Sequence, residues 1–220
     1  LTWRDDFYPP LLRHISNPPF LLYMWGDFDF RQFNLFISIV GTRRPTPYGR
    51  KAAKILSSEL AEEGWVVVSG LALGIDGESH SSVVREGGIT VGVLGSGLGV
   101  IYPSSHQRLA EEIVEEGGAI ISEYPPLFPP RPENFPPRNR IISGLAQGVV
   151  VVEAPRRSGA LITADFALEQ GREVMAVPGP IFSPQSEGTN NLIAQGAALI
   201  QSKKDVLEAL GFSPDKVKKS

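Results

Sequence analysis

The stretch LFISIVGTRR, residues 35–44, decides the fold. A nearly continuous apolar run, Leu35–Val40, stops at Gly41, and Thr42, Arg43 and Arg44 follow at once. A run without polar alternation reads as a strand buried on both faces. The pattern recurs in WVVVS (65–69), ITVGVL (89–94), AIIS (119–122), VVVVE (149–153) and EVMAV (173–177). The segments between these runs have helical spacing. Lys51–Glu63 sets Ala52, Ala53, Leu56 and Leu60 on one stripe, Ser105–Glu116 sets Leu109 and Ile113, and Ala160–Gln170 ends at Gly171, a helix-stopping residue. Strands and helices alternating in single file predict βαβ units. The expected fold class is therefore α/β: a doubly wound, mostly parallel sheet with helices on both faces.

Composition agrees with one such unit. The 220 residues are 42% apolar and 20% charged, with 21 basic and 24 acidic side chains. A net charge of −3 excludes a uniformly basic nucleic-acid coat, so any phosphate binding must come from a local patch. There is no Cys, which removes disulfides, thiolate nucleophiles and Cys-held metals. The three His are scattered, and no metal site is expected. No apolar run approaches the roughly 20 residues that span a bilayer, and no signal peptide stands out, so a cytoplasmic location without membrane attachment is the expectation. Residues 1–34, with Pro9, Pro10, Pro18, Pro19 and many aromatics, read as a lead-in packed on the core, extended near Phe20–Trp25. Residues 35–211 read as the main domain and 212–220 as a tail. The chain opens on Leu rather than Met, which suggests a trimmed fragment.

In an open parallel sheet, ligands bind beyond the carboxyl ends of the strands. The loops that leave these ends are rich in Gly, Ser, Thr and Arg: Gly41-Thr42-Arg43-Arg44, Ser69-Gly70, Gly95-Ser96-Gly97, and Pro155-Arg156-Arg157-Ser158-Gly159. Small residues for close backbone approach, free N–H donors and guanidinium forks together suit phosphate groups. Charge is patterned the same way. Phe30–Ser58 holds six basic residues and no acid, and Arg131–Arg157 holds five Arg against Glu133 and Glu153. Arg50, Lys51 and Lys54 of the first set lie on a helix and read mainly as solvated surface.

One segment interrupts the rhythm. Pro125–Pro137 holds seven Pro in 13 residues, so it forms neither a helix nor a central strand. It reads as a stiff lip over the strand ends, leading to Phe135-Pro136-Pro137-Arg138-Asn139-Arg140. With a helix beginning near Pro137, Arg138 shares the side of Ile141 and Ile142, while Arg140 lies about 200° away around the helix. Arg138 is the better candidate for the pocket, and Arg140 for a flanking or structural contact. Phe135 is more often core than platform, yet beside Arg it is placed to stack on a base. Asp76 reads as the cap of a helix starting at Gly77, and Glu123 and Glu153 as partners of loop amides or Arg side chains. Gly95-Ser96-Gly97-Leu98-Gly99 lacks the spacing of a dinucleotide fingerprint, and there is no phosphate-loop lysine motif, so no cofactor is expected.

Seven separated strings resemble one known family in unbroken order: IVGTRRPTPYG (39–49), VVSGLALGIDGESH (67–80), VLGSGLGVIYPSSHQRL (93–109), SEYPP (122–126), FPPRNRIISGL (135–145), VVEAPRRSGALITADFALEQGREVMAVPG (151–179) and GTNNLIAQGA (188–197). The family is DNA-processing protein A (DprA, also called Smf). The resemblance implies an extended Rossmann-like core that binds single-stranded DNA, forms homodimers and loads the recombinase RecA onto incoming DNA in natural transformation. It implies no catalytic residue. Its single-strand pocket maps onto Gly41, Thr42 and Arg43, onto Phe135, Arg138, Asn139 and Arg140, and onto Ser158, Gly159 and Thr163. Arg44, Gly70, Gly95, Gly97, Arg156 and Arg157 complete the expected DNA-binding set from the strand-end loops. The flanking domains found in many members have no room in this sequence, so the core alone is expected. Apolar residues of the closing segment (Leu192, Ile193, Leu199, Ile200, Val206, Leu207, Leu210) add a local argument for a homodimer.

Two other classes compete. A distant likeness to Rossmann-like phosphoribohydrolases implies release of a base from a nucleoside monophosphate. The turn Pro155–Thr163 lacks that group's paired Gly, although Asp165 and Glu169 follow on the helix. A pure protein-interaction scaffold leaves the strand-end Arg without a role.

Overall fold

A computed structural model describes residues 1–212. In chain order the elements are α1 (Pro10–Arg13), β1 (Tyr23–Trp25), β2 (Phe36–Val40), α2 (Pro47–Glu62), β3 (Val66–Ser69), α3 (Ile75–Arg85), β4 (Thr90–Leu94), α4 (Gln107–Glu115) and β5 (Ala119–Ser122). They continue with α5 (Phe135–Gly144), β6 (Gly148–Val151), α6 (Gly159–Glu169), β7 (Glu173–Ala176), α7 (Glu187–Ala194), β8 (Ala198–Leu199) and α8 (Lys203–Ala209). The strands form one sheet in the order β1-β5-β4-β3-β2-β6-β7-β8. Every pairing is parallel except that of β1 with β5. From β2 the chain winds outward through β3, β4 and β5, then returns to β6 on the other side of β2. The topological switch point therefore lies between β2 and β6, where the crevice of an open α/β sheet forms.

The continuous apolar strands explain the layers. Successive side chains point to opposite faces. Phe36 and Val40 of β2 join one core with Val149 and Val151, against Ile141, Ile142 and Leu145 of the α5 segment and Ala160, Ala164 and Ala167 of α6. Ile37 and Ile39 join the other with Val150, against Ala53, Leu56 and Leu60 of α2, Ile75 and Val83 of α3, and Val206 and Leu207 of α8. A smaller cluster seats α4 through Leu109, Ala110 and Ile113.

The lead-in contributes Tyr8, Leu12, Ile15, Leu22, Phe28 and Phe30 to the first core, and β1 extends the sheet. Two helix starts differ from the sequence reading. Helix α3 begins at Ile75 rather than Gly77, and α5 begins at Phe135 rather than Pro137, after a 3-10 turn at Pro132–Asn134. Of the expected tail 212–220, residues 213–220 lie outside the described residues. Among the described residues no helix is long and apolar enough to cross a membrane.

Candidate nucleic-acid interface

A cleft of about 470 Å³ opens beyond β2 and β6, at the switch point. Of the residues expected from sequence, it gathers Gly41, Arg43, Phe135, Arg138, Asn139, Ser158, Gly159 and Thr163. Each comes from the end of a strand or the first turns of a helix. The turn after β2 is stitched in place because Thr42 N–H donates to the Glu153 carbonyl at 2.7 Å and Ile75 N–H donates to the Thr42 carbonyl at 3.2 Å. That turn presents Arg43, which is exposed. Its guanidinium carbon lies 5.5 Å from the Phe135 ring centroid, and no acid pairs with it among the described residues.

Arg138 is different in kind. It is 5% exposed and forms the floor. Its Nη1 donates to the Gly70 carbonyl at 2.8 Å and to the Val93 carbonyl, tying α5 to the ends of β3 and β4. Its Nε donates to Asn139 Oδ1 at 3.2 Å, and Asn139 Nδ2 donates to the Gly159 carbonyl at 3.1 Å, which ties α5 to the start of α6. Burial lowers the Arg138 pKa to about 10, against the opposing pull of Asp76, so it stays charged at neutral pH. Asp76 shares the cleft. Burial pushes its carboxyl up, while Arg138 and the N–H groups of Ala72 and Gly70 pull it down. Its carboxylate accepts from Gly70 N–H at 3.1 Å. Asp76 thus closes the loop ahead of α3, within whose first turn it lies, and does not cap a helix starting at Gly77.

Ser158 caps α6, its hydroxyl oxygen accepting from Ala160 N–H at 3.3 Å. The positive end of that helix faces the cleft, beside the Thr163 hydroxyl. The arrangement offers one free guanidinium fork at the mouth, a fixed cation at the floor, a helix N-terminus, and Phe135 as an aromatic wall. Phosphate groups fit the first three, and a base fits the fourth.

Other expected residues stand elsewhere. Thr42 is buried, and its hydroxyl oxygen accepts from Arg44 N–H, so it shapes the turn. Arg44, Arg156 and Arg157 are exposed outside the cleft wall. Gly70 lines a small adjoining hollow with Arg43 and Tyr102. Gly95 backs onto the Phe135 ring, and a Cβ there would meet ring carbon at 2.8 Å. Gly97 is packed under the Pro-rich lip, where its N–H donates to the Phe128 carbonyl at 2.9 Å and a side chain would collide with the Pro125 and Pro126 carbonyls. These two glycines serve close packing rather than the cleft. Arg140 is also spent internally. It forms a bidentate pair with Glu123 at 3.0 and 2.7 Å and donates to the Asn17 carbonyl at 3.0 Å. Glu153 is buried and accepts from Thr46 N–H at 2.9 Å. Asp165 and Glu169 are exposed outside the cleft, whose carboxylate is Asp76, bound to the Gly70 N–H.

Sequence reading missed Tyr102. It is 45% exposed, lines the cleft, and lies 5.7 Å from Phe135. An aromatic closing the loop that leaves β4 was its available signal.

Fold and cleft together define a Rossmann-like α/β protein with a phosphate- and base-fitting crevice at its switch point. The chain belongs to the DNA recombination-mediator protein A family, which it matches over residues 1–211. It is 47% identical over 209 residues to protein Smf of Escherichia coli, covering 94% of this chain and 55% of that protein. It therefore spans about half the length of that relative. The X-ray structure of DprA from Streptococcus pneumoniae superposes with a TM-score of 0.89 at 42% identity, over 94% of this chain and 72% of that one. A DprA structure from Helicobacter pylori, described for its single-stranded DNA binding mode, gives 0.83 at 32% identity over 92% of both chains.

Proposed function

We propose that this chain binds single-stranded DNA in the switch-point cleft and acts as a non-catalytic recombination mediator. It would protect incoming DNA and load RecA during natural transformation, as a cytoplasmic homodimer. The observation that carries the DNA reading is Arg43: a free guanidinium at a strand end, beside an aromatic ring, above a buried Arg138. A fork of this kind grips a phosphate whatever the base, and the narrow cleft admits one backbone with its bases unstacked. RecA loading and transformation rest on family membership alone.

The test is a titration of labelled single-stranded and duplex oligonucleotides of equal length across salt concentrations. Single strands are expected to bind tighter. Arg43→Ala should weaken binding to all single strands and lower the salt slope by about 0.7, the counterion release of one neutralised phosphate. The melting temperature should hold, since no acid partner is left behind. Equal affinity for duplex and single strand, or an Arg43→Ala protein with unchanged affinity and slope, would overturn the reading. In the same assay, the bound complex should shorten the lag of RecA filament assembly, and an unchanged lag would confine the chain to DNA binding.

A further inference from the structure

A second cleft, of about 480 Å³, lies on the far side of Pro136 from the first. Pro136 lines both, so the two are divided by one proline ring. Helix α6 runs along both as well. Thr163 lines the first cleft, and Phe166 and Gln170 line the second. These positions follow at spacings of three and four, one face of a helix. At 1.5 Å per residue, Phe166 lies about 4.5 Å and Gln170 about 10.5 Å beyond Thr163 along the axis. That is the scale on which one nucleotide follows another.

The chemistry of the second cleft differs from that of the first. Its cation, Arg140, is largely engaged: Nε donates to Asn17, Nη1 to Glu123 and Pro137, and Nη2 to Glu123. One Nη2 N–H is left of the five donors, on a side chain that is 9% exposed and already paired with a carboxylate. What stays open is the carboxylate. The Glu123 side chain is 30% exposed. A bidentate partner occupies one lone-pair direction on each oxygen and leaves the other free to accept. Gln170 turns its amide to the Arg140 carbonyl at 2.9 Å, and its side-chain carbonyl is buried without a donor among the described residues. Phe166, half-buried, and the rings of Pro136 and Pro137 supply flat apolar walls.

We infer that this cleft is a nucleobase subsite for the same single strand, selective for bases that carry an exocyclic amino group. The phosphates stay at Arg43, and a neighbouring base crosses Pro136 to lie on Phe166 with its amino group directed to Glu123. A carboxylate accepts from the amino group of cytosine, whereas thymine presents a carbonyl at that position. Arg140 serves as a positioning residue that fixes the plane of the carboxylate. The proposal rests on the single-strand reading above.

The experiment compares labelled oligo-dC and oligo-dT of equal length on wild type, Phe166→Ala, Glu123→Gln and Arg43→Ala. Wild type should prefer oligo-dC by about threefold or more, the worth of one partly exposed charge-assisted hydrogen bond. Phe166→Ala should lose about tenfold in affinity for oligo-dC, a typical stacking contribution, and bring the two strands level. Glu123→Gln should bring them level with little change for oligo-dT. Arg43→Ala should weaken both strands and keep their ratio. The ratio is the readout because partial unfolding of a variant scales both affinities alike. A wild-type ratio of one, or a ratio that survives both Phe166→Ala and Glu123→Gln, overturns the subsite while leaving the Arg43 site standing. Absence of binding to either strand overturns the single-strand reading and this proposal with it.

Discussion

The two arginines of the switch-point cleft perform different tasks with the same side chain. Arg43 is exposed and free, and Arg138 is buried with its Nε and Nη1 committed to internal partners. Removing Arg138 therefore has consequences that removing Arg43 does not. Arg138→Met keeps the length of the stem but leaves the carbonyls of Gly70 and Val93 without their donor and Asp76 without its counter-charge. A buried polar group left unsatisfied costs about 1–3 kcal/mol, so a loss of about 3 kcal/mol is expected from denaturant titration, together with weaker binding of single strands. Adding Asp76→Asn to Arg138→Met should recover part of that stability, because the uncompensated carboxylate is gone. Strict additivity of the two changes would show that the pair is uncoupled. Sequence spacing placed Arg138 on the cleft side of its helix. The partners that make it a structural cation, at the ends of β3 and β4, are 68 and 45 residues away in the chain and were not legible.

At the scale of elements, α3 is held to the sheet by a polar contact within an apolar layer. His80 Nδ1 lies 2.7 Å from Thr90 Oγ1, and that hydroxyl donates to the Val67 carbonyl at 2.6 Å. The ring nitrogen is thus the donor, and Nε2 is buried with no partner among the described residues. Burial first, then the neighbouring His106, lowers the His80 pKa from 6.5 to about 3. The folded state thus binds this proton only near pH 3, while the unfolded chain binds it below pH 6.5. The unfolded state holds the extra proton across that window, so stability is full above pH 6.5 and falls as the pH drops toward 3. One proton corresponds to a slope on the order of 1.4 kcal/mol per pH unit. His80→Gln should flatten the pH dependence of the unfolding free energy by about one proton across that window. An unchanged slope would place the acid sensitivity elsewhere.

For the whole molecule, the closing segment was expected to leave apolar surface for a second copy. The fold uses most of it: Leu192, Ile200, Val206 and Leu207 are buried in the two cores. Leu199 remains 45% exposed on β8, which lies at one end of the sheet. A sheet edge carrying an exposed leucine is a surface for self-pairing. The proposed homodimer would form through this edge. Leu199→Glu should shift the sedimentation coefficient toward that of one copy without lowering the melting temperature. A single-copy mass for the parent protein at micromolar concentration would remove the dimer.

The apolar runs ending in Gly, Ser and Arg determined by themselves that this chain is a parallel α/β sheet with an anion-fitting edge. Both features are written in local periodicity and in the residues that follow each strand. The tertiary structure alone decided which strand ends meet. Only the return of the chain to β6 beside β2 brings Arg43, Phe135, Arg138 and Ser158 into one cleft. It also decided that Arg140 and Gly97, adjacent in motif to true cleft residues, are spent on Glu123 and on the lip. Motif position records which residues travel together along the chain. Whether a guanidinium faces solvent or an internal partner depends on distant segments, whose approach is set by packing and not by spacing.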